Sequence, residues 1–121
     1  MRAQHFLNNW HPGKRFDRQS HLRVDLSGCY SGRWPHIHFE VYPSLATAVS
    51  VANKIATSQI AMQKTSSDLF YATAGYEASI PNLSQVTLAS DMVFSDGASL
   101  ELPTMSGSVV GGLTAAITVA V

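Results

Sequence analysis

The clearest alternation of apolar and polar positions lies in the stretch HIHFEVY, residues 36–42. Side chains on one face would be apolar and those on the other polar or aromatic: Ile37, Phe39 and Val41 against His36, His38, Glu40 and Tyr42. A period of two is typical of a β-strand with one buried face. Pro43 follows directly and would end the strand.

Weaker patterns predict further short elements. NKIATSQIAM (53–62) predicts a second strand, and TSSDLFYAT (65–73) opens with a Ser/Thr/Asp cluster that favours a short helix. Residues 75–85 are predicted to be irregular, because Pro81 interrupts any long helix.

The C-terminal third predicts more β-structure. QVTLASDMVFS (85–95) and LELPTMSGSV (100–109) would form a hairpin around an Asp-Gly turn. GGLTAAITVAV (111–121) predicts a closing strand with every second side chain on one face, namely Leu113, Ala115, Ile117, Val119 and Val121. Short strands separated by turns predict an all-β fold, an antiparallel β-sandwich.

The composition of the chain gives no indication of a nucleic-acid or membrane partner. The 121 residues suffice for one domain, and eight basic residues balance eight acidic ones, so no charge excess points to nucleic acid or to an anionic membrane. The least polar stretch, 107–121, is too short and too rich in Gly and Thr to span a bilayer. Cys29 is the only cysteine, which excludes an internal disulfide and favours a small buried side chain.

The chemistry concentrates around one short segment. Tyr30 and Arg33 precede His36 and His38. Histidines at positions i and i+2 of a strand lie on the same face about 7 Å apart, close enough for both imidazoles to bind one metal ion. A His-x-His pair alone is more often structural. Phenolate and imidazole together suit ferric iron, and Arg33 could stabilise an anion developing on a bound substrate.

The segment CYSGRWPHIHFEVYPS (29–44) resembles the iron-binding segment of intradiol ring-cleavage dioxygenases, Tyr-x-x-Arg-x-x-His-x-His. It is most similar to the dioxygenase-like branch, in which the loop from tyrosine to histidine is short. The likeness continues through residues 53–62, 75–88 and 91–97.

This resemblance implies a β-sandwich holding non-haem ferric iron, Fe(III), and cleavage of a catechol-like substrate with incorporation of both atoms of dioxygen. Carried over by position, Tyr30, His36 and His38 are iron ligands, and Arg33 stabilises charge. Tyr30 is also the tyrosinate that leaves the metal when substrate binds and accepts its proton.

The N-terminal segment departs from the family pattern. The family has a second iron-binding tyrosine upstream, whereas this chain has no tyrosine before Tyr30. Residues 1–27 hold five of the eight basic residues and show neither strand nor helix periodicity. HLRVDLSG (21–28) stands where relatives carry an apolar strand, and its codons read one base later can encode Thr-Phe-Ala-Ser-Ile-Phe.

We therefore expect residues 1–27 to be an atypical segment, out of frame or unstructured. Residues 28–121 are then expected to be the C-terminal part of a β-sandwich domain that is incomplete at its N-terminus. Two alternatives to a dioxygenase remain open: a non-catalytic β-sandwich that binds metal or phenolics, and a product without stable structure. The sequence predicts no nucleic-acid or membrane partner, and it leaves oligomeric state, cellular location and substrate identity undetermined.

Overall fold

The structure, a computed structural model, describes residues 2–6 and 28–119. Within them the chain forms five strands and two short α-helices. In chain order they are β1 (Arg2–Phe6), β2 (His36–Tyr42), β3 (Ala56–Ala61), α1 (Lys64–Tyr71), α2 (Ser79–Ser84), β4 (Thr104–Ser108) and β5 (Gly112–Ala116). Two single 3-10 turns, Ala46–Val49 and Val51–Asn53, connect β2 to β3. The prediction of a β-fold is confirmed at this level: the protein is small and mainly β.

A three-stranded sheet with β2 at its centre carries the histidines. β3 runs antiparallel to β2, so that His36 lies opposite Ala61 and His38 lies opposite Gln59. β1 runs parallel to the other edge of β2. The sequence pattern predicts no strand in residues 1–27, but β1 forms because main-chain hydrogen bonds to β2 require no alternation of side chains. Residues 7–27 lie outside the described part of the chain.

β2 is covered on both faces, whereas the alternation predicts one buried face: Glu40 and Tyr42, on the same face as the histidines, are also buried. On the apolar face, Phe39 and Val41 are buried and pack with Ile55, Ala56 and Ile60. The opposite face meets a second apolar cluster, contributed by the loop before β2, the two helices and the loop after α2. Its buried members are Cys29, Trp34, Ala61, Tyr71, Leu83, Val86, Phe94 and Ala98.

The predicted helix over 65–73 is confirmed as α1, and a second helix, α2, forms where the sequence predicts irregular structure. α2 contains Pro81 at its third position. Proline is tolerated there because the first N–H groups of a helix have no partner within the helix. Pro81 therefore limits the length of α2 without preventing it.

The predicted hairpin between 85–95 and 100–109 is wrong. Residues 87–101 form a succession of turns, and β4 pairs instead with β5, with Thr104 opposite Ala116 and Ser108 opposite Gly112. Gly107 allows this pairing, because its φ of 98° is left-handed and a Cβ at this position would strike the carbonyl oxygen of Gly112.

The β4–β5 hairpin is exposed on both faces. β5 confirms the first part of the predicted closing strand but ends at Ala116, so Ile117 and Val119 lie beyond it. Leu113 is only half-buried and Ala115 is exposed, so the predicted apolar face covers no core. Val121 lies outside the described residues. In the part of the chain that the structure describes, no helix has the length and apolar character needed to cross a membrane.

Candidate functional site

The loop that precedes β2 is fixed to the body of the protein at both ends. The backbone N–H of Cys29 donates to Ser79 Oγ at 2.9 Å, and Asn82 Nδ2 donates to the Cys29 carbonyl at 2.9 Å. At the other end, the indole N–H of Trp34 donates to the Met62 carbonyl at 2.8 Å. The residues between these anchors are therefore held in a defined position relative to β2.

Cys29 is a buried residue of the protein interior, as the sequence indicates. Its side chain is 5% exposed and lies in the apolar cluster. Burial raises the pKa of the Cys29 thiol, which keeps it protonated.

Tyr30 and His36 lie side by side, as a shared site requires. Their ring centroids are 6.3 Å apart in an edge-to-face arrangement. Tyr30 is 58% exposed, so its phenol is accessible to solvent, whereas His36 is partly buried and its other side contacts the ring of Phe94 at 6.4 Å. Gly32, with a left-handed φ of 89°, makes the turn that returns the chain from Tyr30 towards β2.

The hydrogen bond of His36 determines its tautomer. Nδ1 lies 2.7 Å from the carbonyl oxygen of Trp34, and because a carbonyl only accepts, Nδ1 must carry the proton. Burial lowers the pKa of His36 and the Arg33 cation lowers it further, against the opposing effects of the Trp34 carbonyl and Asp91. The imidazole is thus held neutral, with the lone pair on Nε2, which is the form that binds metals.

His38 shares the face of His36 but has its own partners. Its Nε2 lies 3.3 Å from Thr57 Oγ1 and 3.8 Å from Glu40 Oε1. Glu40 is 3% exposed, accepts a 2.7 Å hydrogen bond from the hydroxyl of Tyr42, and lies 3.6 Å from Lys54 Nζ. In this arrangement, Nε2 of His38 is directed at polar neighbours, and it would have to exchange the long Thr57 contact for a metal.

Arg33 forms an ion pair that the sequence did not reveal. Its Nε lies 2.8 Å from Asp91 Oδ2 and its Nη2 3.4 Å from Asp91 Oδ1, while Nη2 also donates to Gln59 Oε1 at 2.6 Å. The Arg33 side chain is 17% exposed and that of Asp91 is fully buried. The guanidinium is thereby held rigidly, with its charge balanced by a carboxylate.

Asp91 is the most densely bonded side chain of the site. Besides Arg33, it accepts the backbone N–H groups of Trp34 at 2.8 Å, Val93 at 2.8 Å and Phe94 at 3.2 Å. Burial alone would raise the pKa of Asp91, but the Arg33 hydrogen bond and the three backbone donors outweigh it and lower the pKa to about 2. The sequence signal for this residue was ambiguous, since an Asp in a Ser-rich turn is commonplace.

The lowered pKa of Asp91 predicts a loss of stability in acid. A carboxyl group with a depressed pKa stabilises the folded state above its unfolded pKa near 4, and this contribution disappears as the pH falls towards 2. We expect about 2 kcal/mol of the free energy of unfolding to be lost in this window, measured by urea denaturation at several pH values. An Asp91→Asn variant should lack this component, and equal pH slopes for the two proteins would contradict the assignment.

The other aromatic residues near the motif are packed inside the protein. Trp34 is 5% exposed and Tyr42 3%, both within the protein interior. Tyr76 lies against the apolar cluster with its ring 5.4 Å from that of Tyr71.

The donor set around Tyr30 fits ferric iron in its chemistry. The phenol is accessible, and the Nε2 lone pair of His36 is fixed by the bond at Nδ1. A phenolate with two imidazoles supplies the anionic oxygen and nitrogen donors that ferric iron takes. Among residues 2–6 and 28–119, no three side chains of His, Cys, Asp or Glu are grouped to hold a metal ion, so a site here depends on the tyrosine.

Comparison with known proteins gives no match: no protein-family model, no curated protein and no solved structure matches the chain. The likeness to intradiol dioxygenases therefore stays a prediction from the sequence.

Proposed function

We propose that this chain carries the metal site of a non-haem ferric intradiol ring-cleavage dioxygenase, within a fold of the β-sandwich type. One observation carries the proposal. The Trp34 carbonyl holds the proton of His36 at Nδ1, so that Nε2 is presented as a ligand beside the accessible Tyr30 ring. A histidine fixed by a backbone carbonyl is typical of metal sites.

Tyr30, His36 and His38 are the residues that would hold the iron. When bound, ferric iron supplies Lewis acidity that polarises a catecholate. The exposed Tyr30 phenolate would accept a proton from a substrate hydroxyl, because Tyr30 is the ligand with free access to solvent. Arg33, clamped by Asp91 and Gln59 through Nε and Nη2, keeps Nη1 as a donor for an anionic oxygen of the substrate.

The proposed reaction balances without an external reductant. The bond between the two hydroxyl-bearing carbons of the catechol breaks, and each carbon receives one oxygen atom from dioxygen. The substrate is oxidised and dioxygen is reduced, which gives a muconate-type dicarboxylate. No nicotinamide or flavin cofactor is required.

The proposal predicts that Tyr30→Phe abolishes a visible charge-transfer band of the ferric-loaded chain. A phenolate bound to ferric iron gives such a band, and phenylalanine cannot bind the metal. Because Tyr30 is 58% exposed, the substitution should change the free energy of unfolding by less than about 0.5 kcal/mol. Visible absorption after loading with ferric iron measures the first effect, and urea denaturation measures the second.

Tyr76→Phe is the matched control, since it removes a phenol hydroxyl that is not among the proposed ligands and should leave the band intact. His36→Ala should weaken or abolish the band as well. A folded wild-type chain that stays colourless with ferric iron, or a band that persists in Tyr30→Phe, would rule out the proposed ligand set. Oxygen uptake with catechol then tests turnover.

A second candidate, a non-catalytic protein that binds metal or phenolics, is favoured by a different observation. The Arg33 charge is balanced by buried Asp91, and Nε2 of His38 faces Thr57 and Glu40. Both features fit a site that retains binding groups without driving chemistry. A charge-transfer band that shifts with added catechol but without oxygen uptake would identify this candidate.

A further inference from the structure

The carboxylate of Asp91 connects two segments that contact His36. One is the loop that ends at Trp34, and the other is the turn that carries Phe94. We infer that Asp91 is a positioning residue for His36, fixing both the tautomer and the ring orientation of this ligand. The inference rests on the proposed function for its consequence in metal binding, but its structural part does not require a metal.

The first connection runs through Oδ2. This oxygen accepts the backbone N–H of Trp34 at 2.8 Å, and the carbonyl of the same residue accepts the proton of His36 Nδ1 at 2.7 Å. The orientation of the Trp34 backbone therefore links Asp91 to the tautomer of His36. Trp34 is buried, so water is a poor substitute for the carboxylate at its N–H.

The second connection runs through Oδ1. This oxygen accepts the N–H groups of Val93 at 2.8 Å and Phe94 at 3.2 Å, which closes the turn over residues 91–94. Phe94 is 1% exposed, and its ring lies against the His36 imidazole at 6.4 Å. Oδ1 thus fixes the position of the Phe94 ring, which limits rotation of the His36 imidazole.

Both oxygens of Asp91 are necessary for this role. An asparagine has a single acceptor oxygen, and its NH2 group would face backbone donors at the position of the other. Asp91→Asn can therefore satisfy either Trp34 or the turn that carries Phe94, but not both. This asymmetry makes a conservative substitution informative.

The primary experiment is 15N NMR of the histidine side chains in the metal-free, full-length chain. In the wild type we expect His36 as a single Nδ1–H tautomer. In Asp91→Asn we expect altered His36 signals: a mixture of tautomers where the amide NH2 faces Trp34, or a single tautomer with shifted signals where it faces the turn that carries Phe94. Asp96→Asn, an exposed aspartate in the same segment, should leave the His36 signals unchanged.

The second readout is the affinity for ferric iron, measured by competition with a chelator. Loss of a group that orients a metal ligand typically weakens metal binding 10–100-fold, and we expect a loss of about that size in Asp91→Asn. Asp96→Asn should bind as the wild type does. Circular dichroism verifies that each variant is folded.

The inference is overturned if folded Asp91→Asn keeps both the wild-type tautomer and the wild-type side-chain chemical shifts of His36. If Asp91→Asn does not fold, Asp91→Glu replaces it: the charge is retained, but the extra methylene displaces both oxygens, so the same change in tautomer is expected and its absence overturns the inference. A wild-type chain that fails to bind ferric iron refutes the proposed function, and the tautomer measurement then decides the role of Asp91 alone.

Discussion

Replacing Asp91 with alanine should remove about 3–5 kcal/mol from the free energy of unfolding. The carboxylate is fully buried and is the partner of the Arg33 guanidinium, which is itself only 17% exposed. Its removal leaves an uncompensated cation and three backbone N–H groups without their acceptor. Each unmet buried donor adds a desolvation cost of about 1–3 kcal/mol, reduced where the structure relaxes.

Urea denaturation at neutral pH measures this effect, with Asp96→Ala as the control. Asp96 is exposed in the same run of turns and should change the free energy of unfolding by less than about 0.5 kcal/mol. A small protein has roughly 5–15 kcal/mol in total, so Asp91→Ala should lose a large fraction of its stability. Equal stabilities of the two variants would show that Asp91 does not join the segments as described.

Phe94→Ala is the second substitution with a large expected effect, about 3–5 kcal/mol of the free energy of unfolding. Phe94 is 1% exposed and belongs to the cluster that includes Trp34, Tyr71 and Leu83. Truncation leaves a cavity in that cluster and also removes the ring that contacts His36. Thermal or urea unfolding measures the stability, and the His36 side-chain NMR signals report on the ring contact.

Two controls separate packing from a general sensitivity of the chain. Phe94→Leu retains most of the side-chain volume and should cost about 1–1.5 kcal/mol. Leu100→Ala truncates an 88% exposed side chain and should be nearly neutral. A cost of Phe94→Ala no larger than that of Phe94→Leu would contradict the packing described.

The elements predicted from the sequence are those in which the spacing of apolar side chains follows their burial. The alternation over 36–42 matches the bounds of β2, and Phe39 and Val41 on its apolar face are buried. Burial of Glu40 and Tyr42 on the histidine face was not predicted, because it depends on contacts with the rest of the chain. α1 was also predicted to within two residues, although its N-cap is Gln63 and no side chain of the Ser/Thr cluster caps it. These are local signals that tertiary contacts reinforce.

The segment 85–95 was mispredicted for a physical reason that involves the site. Its apolar positions suggest a strand, but the carboxylate of Asp91 binds the N–H groups of Val93 and Phe94. A backbone donor that is bound to a side chain is not available for a strand pairing. The same residue that was missed as part of the site thus also explains the missing strand.

The candidate site was predictable only in part. Tyr30, Arg33, His36 and His38 follow from spacing within nine residues, and the structure brings Tyr30 and His36 together. Asp91, Gln59 and the α2 residues Ser79 and Asn82 come from distant parts of the chain. Side chains that act through long-range hydrogen bonds leave no periodic signal, so their role appears only in three dimensions.

The bond from Trp34 to Asp91 spans 57 positions along the chain, and that from Arg33 spans 58. Contacts of such high sequence separation require closure of a long loop, which slows folding and places their formation after the local turns and helices. During synthesis on a ribosome, the histidine motif therefore emerges well before the residue that orders it. A peptide comprising the motif alone would contain the ligands without their preorganisation.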